Sequence, residues 1–147
     1  MQRMGASSHQ DHLKILFQGV SAWNKWRKEN PRIIPGLFFV DLRGADLEGI
    51  DLNWTILGGT NLRRANLRGA NLYGANLYKA NLCETDLSYA NLRWSNLDRA
   101  IFRNTNLTGA NLEYARNAKL QDVVLKVTRL PNGTLQTLEP EAFALNG

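Results

Sequence analysis

A large apolar residue stands at every fifth position across half of this chain, and a period of five suits neither regular structure that globular chains ordinarily use. The series runs Leu42, Leu47, Leu52, Leu57, Leu62, Leu67, Leu72, Leu77, Leu82, Leu87, Leu92, Leu97, Phe102, Leu107 and Leu112, and Leu37 starts it one step earlier. Five residues of α-helix advance about 500°, so successive leucines drift by about 140° and scatter over every face. In a continuous strand, an odd period sends alternate leucines to opposite faces. Two residues before each large one is a small or β-branched residue, from Val40 and Ala45 to Thr105 and Ala110. Between the two stands Asn or Asp, except at Ile56 and Ile101.

Small at i−2 and large at i fit one short extended stretch with both side chains inward, followed by a corner. Four such sides close a coil of about 20 residues, and coils stack at the ~4.8 Å strand spacing. The body is then a solenoid of just under four coils, about 18 Å tall by that spacing.

Residues 41–115 resemble the pentapeptide-repeat family, whose repeat is written A(D/N)LXX and is plainest here in "NLRRANLRGANLYGANLYKANL", residues 61–82. The resemblance implies an all-β solenoid, a right-handed quadrilateral β-helix with the i and i−2 side chains inside. "HLKILFQGVSAWNKWRKENP", residues 12–31, is similar to segments that precede the repeats in cyanobacterial members. The expected division is a flexible N-terminus at 1–8, a capping α-helix at 9–30 and repeats at 37–115. Residues 116–147 then form the C-terminal cap.

Stacked coils leave open strand edges at both ends, and these need covers. At the N-terminus, Leu13, Leu16, Phe17, Val20 and Trp23 make one apolar stripe on a helix over 9–29. Ser8 and Asp11 fit a capping box, and Asn30-Pro31 is a stop. The stripe is expected to cover the first coil, with Lys14, Lys25, Arg27 and Lys28 on the solvated side. A basic amphipathic helix for a membrane surface is the competing reading. After Ala115 the register breaks, and Leu120, Leu125, Leu130 and Leu135 resume the five-residue step. Two readings of 118–137 stand side by side: a degenerate fifth coil displaced by three residues, or a β-hairpin turned by Pro131-Asn132-Gly133. "EPEAFALNG" reads as a short terminal cap in either case.

The net charge of +5 belongs to the N-terminal segment. Residues 1–40 hold six Lys/Arg against two Asp/Glu, whereas residues 41–115 hold eight of each. That balance weakens nucleic-acid binding as a role. No segment has the roughly 18 apolar residues of a membrane span, and no secretory leader is recognisable, so a cytoplasmic location is expected. His9 and His12 in "HQDH" lack a third well-spaced ligand, so no metal site is expected. Acid pairs such as Asp46 and Asp51 follow the repeat and do not mark an acid and base. Cys83 reads as an outward, inert thiol. No phosphate loop or nucleophile elbow occurs. No enzyme activity and no cofactor are expected.

Function is expected in the outward positions, which stack at intervals of 20. One side carries Trp54, Tyr73, Arg93, Trp94 and Tyr114 and is the candidate partner surface. The opposite side carries Arg43, Arg63, Arg64 and Arg103, a candidate basic face. Exposed aromatics can equally be cross-strand packing on a β surface. The leading expectation is a scaffold that binds another protein, as a monomer or as a dimer through a terminal cap. A duplex-mimicking topoisomerase binder, nucleic-acid binding and membrane binding are the alternatives, and a charge-neutral body argues against mimicry of DNA.

Overall fold

The computed structural model describes residues 8–121, 123–125 and 127–136. The expected flexible N-terminus lies outside these residues except for Ser8, and the expected "EPEAFALNG" cap lies outside them entirely.

Two helices precede the repeats, α1 (His9–Leu16) and α2 (Val20–Glu29), so the single helix expected over 9–29 is corrected to a broken one. Ser8 and Asp11 form the capping box: the Ser8 hydroxyl oxygen accepts from the Asp11 N–H at 3.2 Å, and the Asp11 carboxylate accepts from the Ser8 N–H at 3.3 Å. The break falls at Gly19, whose φ of 104° is closed to side-chain-bearing residues. Both Leu16 before it and Trp23 after it are buried against the first coil.

From Gly36 onward the chain is a β-helical solenoid. Parallel bridges join residues 20 apart in four ladders, Gly36–Ile56–Asn76–Asn96–Arg116, Asp41–Asn61–Asn81–Ile101, Asp46–Asn66–Asp86–Asn106 and Asp51–Asn71–Asn91–Asn111. The four sides are named below by their first residues. Every series residue from Leu42 to Leu112 is buried, as is Leu37.

The repeat is explained by where its backbone N–H groups go. In the repeat beginning at Asn61, the Asn61 N–H donates to the Val40 carbonyl (2.9 Å), Leu62 to Asn81 (2.8 Å) and Arg64 to Cys83 (3.0 Å). Ala65 closes the corner by donating to Leu62 at 2.9 Å, across a β-turn whose third residue, Arg64, sits at φ 60°. One N–H is left, that of Arg63, and the Asn61 side-chain oxygen takes it at 3.1 Å. This is why Asn or Asp precedes each leucine. At Ile56 and Ile101 that acceptor is missing for Gly58 and Arg103. Threonines at i−2 add a further link, since Thr60, Thr85 and Thr105 donate their hydroxyls to the carbonyls of Leu37, Leu62 and Leu82 at 2.6–2.7 Å.

The C-terminal segment is ladder and hairpin at once. Asn106 pairs with Val124 and Asn111 with Arg129, two residues short of the 20-residue step. Thr128 donates its hydroxyl to the Leu107 carbonyl at 2.6 Å, repeating the threonine link with the same two-residue shortening. Strand β1 (Thr128–Arg129) then pairs antiparallel with β2 (Leu135–Gln136). The turn between them closes through Gly133 N–H to the Leu130 carbonyl at 2.9 Å.

Candidate functional site

The Asp51 side brings Trp54, Tyr73, Arg93, Trp94 and Tyr114 together as two clusters. Trp94 and Tyr114 occupy the third position of their turns, at φ 60° and 63°, which throws both rings outward one coil apart. Their rings stack at 4.6 Å with an interplanar angle of 24°. Arg93 lies 5.9 Å from the Tyr114 ring and 3.7 Å from the Glu113 carboxylate. In the other cluster Trp54 meets Tyr73 edge to face at 5.7 Å.

Trp54 also has a packing task. Its ring lies over Gly74 in the next coil, so closely that a β-carbon there would come within 2.6 Å of it. The same cover recurs where Phe39 lies over Gly59 and Tyr89 over Gly109. An aromatic residue 20 positions before a turn glycine shields exposed backbone, the aromatic rescue of a glycine in a β surface. The sequence carries that spacing at all three places.

The Asp41 side gathers Arg43, Arg63, Arg64 and Arg103, but its charge is largely neutralised. Arg43 forks onto Asp41 at 2.7 Å, and Arg63 and Arg64 both hold Glu84, at 2.7 and 2.6 Å. Arg103 alone of the four has no ion pair among the described residues. Hydrogen bonds from Arg64 and then Arg63 hold the Glu84 carboxyl below its ordinary value, and Arg43 does the same for Asp41. Arg43, Gly44, Arg63 and Arg64 line an open hollow of about 300 Å³. Cys83 is half-buried on this side, beside Glu84 and Arg103 in a second hollow.

Among the described residues no cluster could hold a metal ion. The two histidines bind backbone instead: His9 Nδ1–H donates to the Gly36 carbonyl (2.9 Å), and the Gly36 N–H donates to His12 Nδ1 (3.0 Å). Arg27, expected in solvent, is corrected to a buried residue only 3% exposed. It donates to the carbonyls of Ile33 (2.8 Å), in the segment leading to the first coil, and of Asn53 (3.0 Å), which lies on the open edge where no lower coil takes it. Burial lowers its pKa, and Asp51 opposes that shift.

A family model described as pentapeptide repeats matches the chain in eight copies, over residues 37–72, 45–82, 75–113 and 85–126. Among solved structures the chain is similar to HetL, a pentapeptide repeat protein involved in heterocyst differentiation regulation from the cyanobacterium Nostoc sp. strain PCC 7120. Identity is 32%, over 69% of this chain and 49% of HetL, with a TM-score of 0.46. Rfr23 from the cyanobacterium Cyanothece 51142 is 38% identical over 63% of this chain and 56% of Rfr23, with a TM-score of 0.41. QnrB1, a plasmid-mediated fluoroquinolone resistance protein, is 19% identical over 65% of this chain and 61% of the QnrB1 chain, with a TM-score of 0.36. The chain thus spans about half the length of HetL. No curated protein matches it. With the repeat model matched across the whole solenoid, the chain belongs to the pentapeptide-repeat family.

Proposed function

We propose that the chain is a non-enzymatic scaffold, a right-handed four-sided β-helix that acts in the cytoplasm by binding another protein through its Asp51 side. The Trp94–Tyr114 stack carries this reading. Unlike Trp54, neither ring covers a glycine, and both stay about half exposed, at 48% and 47%. Trp, Tyr and Arg are the residues that most often anchor protein interfaces, and Arg93 stands beside the pair.

The test is the double variant Trp94→Ala/Tyr114→Ala, used as bait in an extract of the native cytoplasm. Loss of a partner that the parent captures, with the circular dichroism unchanged, supports the reading. Retained capture sinks it.

The alternatives have less behind them. Nucleic acid docking on the Asp41 side would have to displace Asp41 and Glu84 from Arg43, Arg63 and Arg64, so no mobility shift is expected even at low salt. A duplex mimic needs an acidic rod, and a body of balanced charge predicts no protection of gyrase supercoiling. The N-terminal stripe has Leu16 and Trp23 buried in the core, leaving Phe17, expected to cover the first coil, exposed instead. No helix among the described residues is long and apolar enough to cross a membrane.

A further inference from the structure

The Gly36 side divides along the solenoid axis into an apolar end and a cationic end. At the apolar end Phe38 and Phe39 meet edge to face at 6.2 Å, and His9 stacks on Phe38 at 4.3 Å. Ile56 follows one coil on, itself exposed. Phe39 is 82% exposed and sits at φ 57°, a backbone conformation that a bulky residue seldom adopts.

The next coil supplies Gly58 and Gly59. The Phe39 ring lies over Gly59, whereas only the Tyr78 carbonyl comes within 4 Å of where a Gly58 side chain would begin. Gly59 is thus covered, and Gly58 leaves a gap, a shallow saddle, in the column between Phe38 and Tyr78.

At the cationic end Lys79, Arg99 and Arg116 follow in successive coils. None of them makes an ion pair among the described residues, unlike three of the four arginines on the Asp41 side. Lys79 and Arg99 lie 5.2 and 5.9 Å from the Tyr78 ring, which leaves their charge available. The one acid on this side is Asp98.

We propose that the Gly36 side binds an extended protein segment that carries one apolar anchor and, a few residues along, a pair of carboxylates. The anchor fills the Gly58 saddle against Phe38 and Phe39, and the carboxylates meet Lys79 and Arg99. The spacing follows from the coil. Lys79 is one coil and Arg99 two coils from the Gly58 saddle, about 5 and 10 Å at the ~4.8 Å strand spacing. An extended chain rises about 3.3 Å per residue, so the acids fall roughly one to three residues from the anchor. Charge complementarity selects an acidic ligand. Bases of a single strand can stack on Phe39, but the aliphatic Ile56 and the gap at Gly58 suit an apolar side chain, so a peptide is favoured over a nucleic acid. A narrow saddle is filled by one side chain, whereas a bilayer would bridge it.

The test titrates the full chain into a short labelled peptide with one Phe anchor and a Glu-Glu pair beginning two residues away. Comparison probes are the same peptide with Lys-Lys, the peptide without its anchor, and phosphatidylserine-containing vesicles. Binding of the acidic anchored peptide alone is expected, with amide shifts centred on Gly58 and Gly59. Affinity should fall about tenfold or more in Lys79→Glu/Arg99→Glu, as loss of charge-assisted contacts implies. The milder Lys79→Gln/Arg99→Gln should weaken it in the same direction, with circular dichroism unchanged in both. Trp94→Ala should leave it unaltered, which separates this surface from the Asp51 side. Equal binding of the Lys-Lys or anchorless peptide overturns the proposal, as does capture by vesicles in place of the peptide, or no binding at all.

Discussion

Trp23 Nε1 donates a hydrogen bond to the Asp51 carbonyl at 2.7 Å while its indole is wholly buried under the first coil. The same helix continues the pairing, as Asn24 Oδ1 accepts from the Asp51 N–H at 2.8 Å and Asn24 Nδ2 donates to the Gly49 carbonyl at 3.0 Å. With Arg27 on Asn53 and the two histidines on Gly36, side chains stand in for the backbone of an absent lower coil on two of the four sides. The cap is thus recognised by hydrogen bonds as well as by apolar burial.

Two variants of Trp23 separate those contributions. Trp23→Phe keeps most of the apolar volume but leaves the Asp51 carbonyl unpaired, at a cost of about 1–3 kcal/mol. Trp23→Ala adds a cavity and should cost about 3–5 kcal/mol. Urea denaturation of both proteins measures the difference. Equal midpoints for Trp23→Phe and the parent would show that the indole hydrogen bond contributes nothing.

Gly74→Ala tests the cover that Trp54 forms. The new β-carbon meets the Trp54 ring within 2.6 Å, and the residue also occupies φ 65°, so a loss of about 1–3 kcal/mol is expected. In a Trp54→Ala background the steric part disappears, leaving about 1 kcal/mol for the left-handed backbone. The double-mutant cycle should therefore be non-additive. Additive effects would mean that ring and glycine do not interact.

The solenoid was legible because a five-residue leucine period leaves few ways to keep every leucine inside. Features spaced by 20 residues were equally open to reading: Phe39 with Gly59, Trp54 with Gly74, Tyr89 with Gly109, and Arg64 with Glu84 all share a column. In sequence the arginines form one basic face, because residue order lists charges without showing that Glu84 reaches two of them. Arg27 was harder to place. Helical periodicity sets it beside Lys28, and nothing local reveals the carbonyls of Ile33 and Asn53 that draw it inward. The helix break was obscured in a similar way, since Gly19 interrupts an apolar stripe whose spacing continues across it. The two-residue shortening of the last coil shows in sequence only as a change of phase, which a hairpin explains as well.

Glu84 gives the solenoid a pH dependence whose sign is fixed by its partners. Hydrogen bonds from Arg64 and Arg63 lower its folded pKa below the ordinary carboxylate value. Its contribution to stability is then fully present above the unfolded carboxylate pKa and is lost as pH falls through the lowered folded value. Glu84→Gln should be less stable than the parent at neutral pH, and the gap should close progressively in acid, below the usual carboxylate range. The three side chains are solvent-exposed or half so, which keeps the effect small and makes it shrink further in high salt. Thermal midpoints of the two proteins across pH, at low and high salt, measure it. A gap that persists unchanged into acid would mean that the Glu84 carboxylate charge contributes nothing and that the substitution acts through packing.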